Sequence, residues 1–188
     1  ANENSKIMGL KAKFVEGDAE FLPYKENEFD VILSQYGHMF APRPAVVVKE
    51  LARVLKPGGI LAFSTWPKEL FMGKFFKLIE RFSQPLPPEV ASPVLWGDMA
   101  VIEDRLKDHF NQIEFGRDTM FAPTMSPAHM LQLFEKNAGP LANLVKALAN
   151  DPTKLSNLRN AALELIENFF SNNFLRQDFL MTRCIKKV

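Results

Sequence analysis

The chain has 188 residues, 47% of them apolar and 24% charged, and its 23 Lys and Arg against 22 Asp and Glu leave a net charge of +1. That is ordinary globular composition, long enough to bury a substantial core, with no charge excess pointing to nucleic acid or an anionic membrane surface. A single cysteine, Cys184, excludes a disulfide framework and a multi-cysteine metal site; with no apolar run near the roughly 20 residues of a membrane span, and no apolar h-region in ANENSKIMGLK, a reducing cytoplasm is expected.

Residues 12–17, AKFVEG, alternate weakly and stop at Gly17, which predicts a short strand. After the Leu22-Pro23 break, EFDVILSQ carries the continuous run Val31-Ile32-Leu33, as in a strand buried on both faces of a parallel sheet. A helix is expected near Pro44 to Leu55, with Val47, Val48, Leu51, Val54 and Leu55 at spacings of three and four. Pro57-Gly58-Gly59 then reads as its C-terminal cap, because Pro57 cannot continue a helix and glycine permits positive φ. ILAFSTW is the next strand, completing a βαβ unit. A phosphate-binding loop would need strand, glycines and helix in that order, and here the order is reversed.

A second helix is predicted at 69–83 with a wide apolar stripe, then a loop through QPLPPEVASP, where prolines force extended backbone. Asp98 caps a short helix running to about Asp108, and QIEFGRDTMF reads as a strand. Ser126-Pro127 and Asp151-Pro152 are each an N-cap followed by proline, marking helix starts within a helical stretch over 123–173. QDFLMTRCIKK alternates as a final strand. An insert between two late strands is expected to sit on an end of the sheet as a lid.

Little else offers chemistry. His38, His109 and His129 are scattered without paired spacing, so no metal site is expected. No Gly-x-Ser-x-Gly elbow is present, which leaves a hydrolase without a nucleophile. Cys184 lies in the terminal strand, where a small buried hydrophobe is the default.

The ordered set GDAEFLPY, FDVILSQYGHMF, ELARVLKPGGILAFSTW and VLWGD resembles the class I S-adenosylmethionine-dependent methyltransferases, in the branch similar to the ubiquinone and menaquinone biosynthesis enzymes. The resemblance covers nearly the whole chain, the insert matching in placement only. It implies an α/β, Rossmann-like methyltransferase sheet with a C-terminal antiparallel strand pair and a helical lid. It also implies S-adenosylmethionine as cofactor. Asp18 would accept from the adenine amine and the Ala19 N–H would donate to a ring nitrogen; a simple strand-ending turn is the other reading of this dipeptide. Ser34, Gln35 and Tyr36 match the positions that line the methionine part of the cofactor. His38 has the basicity to remove a proton near neutral pH, while packing beneath the following helix is the alternative. Met39, Phe40, Trp66, Trp96 and Phe134 are the expected lining of an apolar acceptor pocket.

The family's Gly-x-Gly turn and the acid that holds the ribose are both missing, since no Gly-x-Gly occurs in the sequence. The chain therefore reads as an N-terminally truncated core lacking its first two βα units, with 1–122 and 174–188 as partial core and 123–173 as lid. The lost strands would lie between the 12–17 and 29–35 strands. The remaining strands are then expected to close up out of order, to pair with another chain, or to leave the first segment loose. The implied function is methyl transfer to a small apolar or aromatic acceptor, with no nucleic acid partner and with cofactor binding impaired in the fragment. A non-catalytic module that self-associates through exposed sheet edges is the alternative. A nicotinamide-dependent oxidoreductase would need a glycine-rich fingerprint at the start and leaves GDAEFLPY unexplained.

Overall fold

The computed structural model describes residues 2–85, 87 and 90–188. A short helix, α1 (Asn2–Ile7), is followed by residues 10–17 with no regular structure. The strand expected over 12–17 is thus not formed. An isolated extended segment has no ladder to join, and alternation alone does not stabilise it.

The first strand is β1 (Phe29–Gln35), followed by a 3-10 turn (His38–Phe40), helix α2 (Pro44–Val54) and strand β2 (Leu55–Thr65). β1 and β2 pair in parallel, Val31 opposite Ile60 and Gln35 opposite Ser64, as the sequence predicts. The glycine turn is placed differently. α2 stops at Val54 because Leu55 is already extended and opposite Phe29, and Lys56 to Gly59 bulge out before pairing resumes at Ile60. Gly58 sits at φ +74, and a β-carbon on Gly59 would lie 2.9 Å from the Asp30 carbonyl oxygen. The glycines thus serve a strand bulge rather than a helix cap.

Helix α3 (Phe71–Phe82) follows, then a 3-10 segment (Pro93–Gly97) and α4 (Met99–Leu106), whose N-cap Asp98 accepts from the Ala100 N–H at 3.1 Å. Strand β3 (Phe110–Pro123) leads into α5 (Pro127–Asn137), α6 (Gly139–Ala147) and α7 (Pro152–Glu167). Ser126 and Asp151 cap α5 and α7 by accepting from the N–H groups of His129 and Lys154. The chain closes with β4 (Phe170–Ser171) and β5 (Phe174–Lys186), joined through Asn172 and Asn173, both at positive φ. The sheet order is β1-β2-β5-β3, with β5 antiparallel to β2, β3 and β4. Among the described residues no helix is long and apolar enough to cross a membrane.

One sheet face carries Leu61, Phe63, Leu180 and Cys184, all buried with α2, α4 and Trp96 in one core. The opposite face is barely covered: Val31, Leu33 and Met181 are 49%, 78% and 39% exposed. Strand alternation places all three on that side.

The segment after β2 is fixed by close backbone approach. A β-carbon on Gly97 would stand 1.9 Å from the Trp66 carbonyl oxygen and 2.8 Å from the Pro67 Cα. Gly97→Ala should therefore cost about 3 kcal/mol, read as a lower denaturant midpoint. Gly116→Ala, where a β-carbon meets nothing within 4 Å, should leave the midpoint nearly unchanged; equal effects in both variants would contradict the packing described here.

Candidate functional site

Two segments meet beyond the carboxyl end of the parallel pair. The first is the acidic turn at 17–22. The Asp18 carboxylate accepts from the Glu20 N–H at 2.9 Å, and the Asp18 carbonyl accepts from the Phe21 N–H at 3.0 Å. This turn is fastened to α2 by charge. Buried Glu20 accepts from the Arg43 backbone N–H and from its Nε, both at 2.7 Å. Glu50 accepts from the Leu22 N–H at 2.9 Å, and Arg53, paired with Glu50, donates to the carbonyls of Tyr24 and Leu22. Asp18 is left exposed at the rim, and Ala19 faces a cavity of about 380 Å³ together with Ile32, Ser34, Gly37 and His38.

The second segment runs from Ser34 to Phe40. The His38 backbone N–H donates to Ser34 Oγ at 3.3 Å, and the same hydroxyl lies 2.9 Å from His38 Nδ1. Which of Oγ and Nδ1 donates is set by the ring's tautomer, and Nε2 is buried without a hydrogen-bond partner among the described residues. Tyr36 sits at φ 60, a left-handed conformation uncommon for a bulky residue. Its N–H donates to the Ser64 carbonyl at 3.2 Å, and its ring stacks on Trp66 with centroids 3.9 Å apart and planes 4° from parallel. Burial raises the Tyr36 pKa, with a hydrogen bond from Ser64 acting the other way, so the phenol stays neutral at physiological pH. Gln35 is exposed and lines none of the cavities described here.

Beyond the Tyr36–Trp66 stack lies a second hollow in two chambers. One, of about 340 Å³, is lined by Phe40, Trp66, Met72, Phe75 and Pro140. The other, of about 520 Å³, shares Phe40, Phe76 and Ile79 with it and continues to Glu80 and Ser92. Of the residues expected to line an acceptor pocket, Phe40 and Trp66 line the smaller chamber. Met39, Trp96 and Phe134 line neither chamber. Met39 and Trp96 are each 1% exposed, inside the core below the site. Phe134 packs on Phe75 and Phe71, its centroid 5.0 and 6.1 Å from theirs, and so joins α5 to α3. Helical and strand periodicity had marked these residues as apolar, without saying which neighbour would cover them. The fastening residues Glu20, Arg43, Glu50 and Arg53 were not identified from sequence; the Glu50/Arg53 spacing was the only local signal.

His38 is 3% exposed and wedged edge-on against Phe63 and Trp96, both at 4.5 Å. Burial first, and then the charge on Arg105, push its pKa down to about 4. A neutral ring whose Nδ1 is already engaged suits a residue that holds Ser34 better than one that removes a proton. In the unfolded chain the imidazole takes up a proton near 6.5, whereas in the fold it does so only near 4. Stability is therefore complete above pH 6.5 and falls as pH drops toward 4. The loss across that window should be on the order of 3 kcal/mol. Urea midpoints measured from pH 7 to 4.5 should fall steeply for the native chain and less for His38→Asn; parallel slopes would count against a buried neutral ring.

Residues 1–63 match the family described as a methyltransferase domain. An uncharacterized protein of Mycobacterium tuberculosis is 29% identical over 182 residues, 96% of this chain and 66% of that protein. The chain thus spans a little under two thirds of the length of such relatives. A sterol 24-C-methyltransferase of Pneumocystis carinii is 45% identical over 61 residues, 32% of this chain and 16% of that enzyme. The solved structure of an S-adenosylmethionine-dependent methyltransferase from Thermotoga maritima shares the fold at a TM-score of 0.53, with 19% identity over 98% of this chain and 68% of that one. The first third of the chain thus matches a methyltransferase domain, and the chain as a whole shares the α/β fold of S-adenosylmethionine-dependent methyltransferases of solved structure.

Proposed function

We propose that this chain forms one wall of an enzyme that moves a methyl group from S-adenosylmethionine to a small apolar or aromatic acceptor. One observation carries the reading. Residues 34–40 separate two hollows, with Ser34 and His38 facing the cavity beside Ala19 and Phe40 facing the apolar chambers. A methyl group passes only between reactants in contact, so a segment that borders both hollows marks where the two would meet.

The residues present fit the cofactor in part. Asp18, exposed and oriented by its own turn, would accept from the adenine amine, and the Ala19 N–H would donate to the adjacent ring nitrogen. Ser34, Gln35 and Tyr36 would lie along the methionine portion. A glycine turn and a ribose-binding acid are not among the 188 residues. A further segment laid along the outer edge of β1 is proposed to supply them and to cover Val31 and Leu33. The greater length of the relatives and the exposure of those two side chains support this completion.

When bound, the cofactor supplies a methyl group already activated on a sulfonium. The chain's own residues then have to align and to exclude water. Tyr36, held at φ 60 and stacked on Trp66, fixes the wall between the hollows. The insert helices α5–α7 act as the lid, since Ala138 to Pro140 close one side of the smaller chamber. His38 holds Ser34 and leaves the proton of the acceptor to another group. The resemblance to quinone-biosynthesis methyltransferases supports an aromatic acceptor.

The second reading, a non-catalytic module that self-associates, is favoured by the open apolar face of β1. Size-exclusion chromatography with light scattering separates the two: a dimer that persists in a chain extended by the proposed segment favours the module. In such an extended chain Asp18→Ala should weaken binding of S-adenosylhomocysteine about tenfold or more by calorimetric titration, the loss of a charge-assisted hydrogen bond. The 188-residue chain alone should bind it poorly. Unchanged affinity in Asp18→Ala removes the assignment of the turn.

A further inference from the structure

From the two chambers we infer the acceptor's chemistry: an elongated amphiphile with an apolar body and a hydrogen-bond donor, hydroxyl or ammonium, at the end remote from Trp66. The inference rests on the methyl-transfer reading and deepens it.

The smaller chamber is walled by aromatic and aliphatic side chains and by the Ala138–Pro140 turn, so it favours a mainly apolar or aromatic group and offers no charged partner among the described residues. It opens past Phe40, Phe76 and Ile79 into the larger chamber, where side-chain polar groups first appear. These are Glu80, Ser83, Gln84 and Ser92. Three of the four have acceptor capacity left and no proton to offer. Ser83 donates its hydroxyl proton to the Ile79 carbonyl at 2.8 Å. Ser92 donates its own to the Glu80 carboxylate, and that carboxylate can only accept. Gln84 alone brings donors as well as an acceptor. Among the described residues no Lys, Arg or His lines either chamber. A carboxylate or phosphate at this end would lie beside Glu80 with no compensating charge, which costs far more than placing a hydroxyl or ammonium there.

The arrangement also sets the ligand's direction. Trp66 directly follows the carboxyl end of β2 and stacks on Tyr36, so the reacting end lies in the smaller chamber. Glu80 lies about two and a half turns along α3 from Phe71, and the apolar body runs beside that helix. Specificity would then come from a single donor at a set distance from the methylated atom, because the walls between discriminate little among apolar groups.

The test uses the full 188-residue chain with Ile δ1-methyl labels and three probes of equal length: octylamine, 1-octanol and octanoate. Octylamine and octanol should each shift the Ile79 methyl resonance in a saturable way, with octanoate weaker by about tenfold or more. Glu80→Gln should abolish the preference for the amine over octanoate and leave octanol binding in place. Ile79→Trp should block all three, and its circular dichroism spectrum checks that it folds. Octanoate binding as well as octylamine, or an unchanged preference in Glu80→Gln, overturns the inference. So do shifts confined to Ile60 on the open face. S-adenosylhomocysteine titrated into the same sample and into a chain extended by the proposed segment reports separately through the amides of Ala19 and Tyr36. Probe binding at Ile79 with no response there in the extended chain would sink the methyl-transfer reading and leave the chemistry of the chambers standing. The reverse result would sink only the inference.

Discussion

The parallel register of β1 against β2 governs the rest of the site. Because Gln35 lies opposite Ser64, the residues that follow, Tyr36 and the Thr65-Trp66 step, emerge side by side at the same end of the sheet. That register is reached only because four residues between Leu55 and Ile60 are thrown out as a bulge. A one-residue slip would turn every side chain of β2 to the wrong face. Phe63 and Leu61 would leave the core, and Trp66 would no longer reach Tyr36. Gly58 and Gly59, which permit the bulge, thus act on the site from the opposite end of the strand.

The second constraint is ionic and holds an otherwise unsupported segment. Residues 10–17 form no ladder, yet the turn after them is ordered because its polar groups are taken up by α2 and Arg43. The Glu20 side chain is only 5% exposed and the Arg43 side chain is 62% exposed, so the acid has lost its water and the base has not. Such a pair gains little over an apolar substitute, but removing one partner leaves a desolvated charge, and that asymmetry makes the turn's position specific. Burial energy fixes the strands, whereas charge fixes the rim to them.

Much of this was legible in the sequence where a residue acts on its immediate neighbours. Val31-Ile32-Leu33 gives a strand because a sheet interior demands that run, and Ser126-Pro127 and Asp151-Pro152 give helix starts because the cap and the missing N–H are local needs. The failures are of a different kind. AKFVEG has strand character, but a strand is a relation between segments, and no partner lies beside it. Lys56 to Gly59 satisfies a helix stop and a strand bulge equally well, so only the competing pull of Phe29 on Leu55 decides. Met39, Trp96 and Phe134 share the composition of pocket residues, but the fold buries the first two and packs the third between helices. Glu20 and Arg43 are 23 residues apart, and Glu80 and Ser92 are 12 apart across a proline-rich loop, beyond the reach of any periodicity.

Two of the molecule's apolar surfaces have shapes that call for different occupants. Val31, Leu33 and Met181 form a shallow, ridged face beside an unpaired strand edge, where backbone N–H and C=O groups also need partners. Only a polypeptide satisfies both needs at once. The chambers beside Trp66 are concave, bounded by side chains rather than by free backbone, and carry polar groups at one end only. No chain segment is required there, and a small molecule with one polar end matches the distribution. The stacked pair Tyr36–Trp66 borders the smaller chamber, so a segment that completes the sheet edge, as proposed above, would also bear on that chamber's wall. Closing the edge and shaping the pocket would therefore be one event in the packing of residues 34–40.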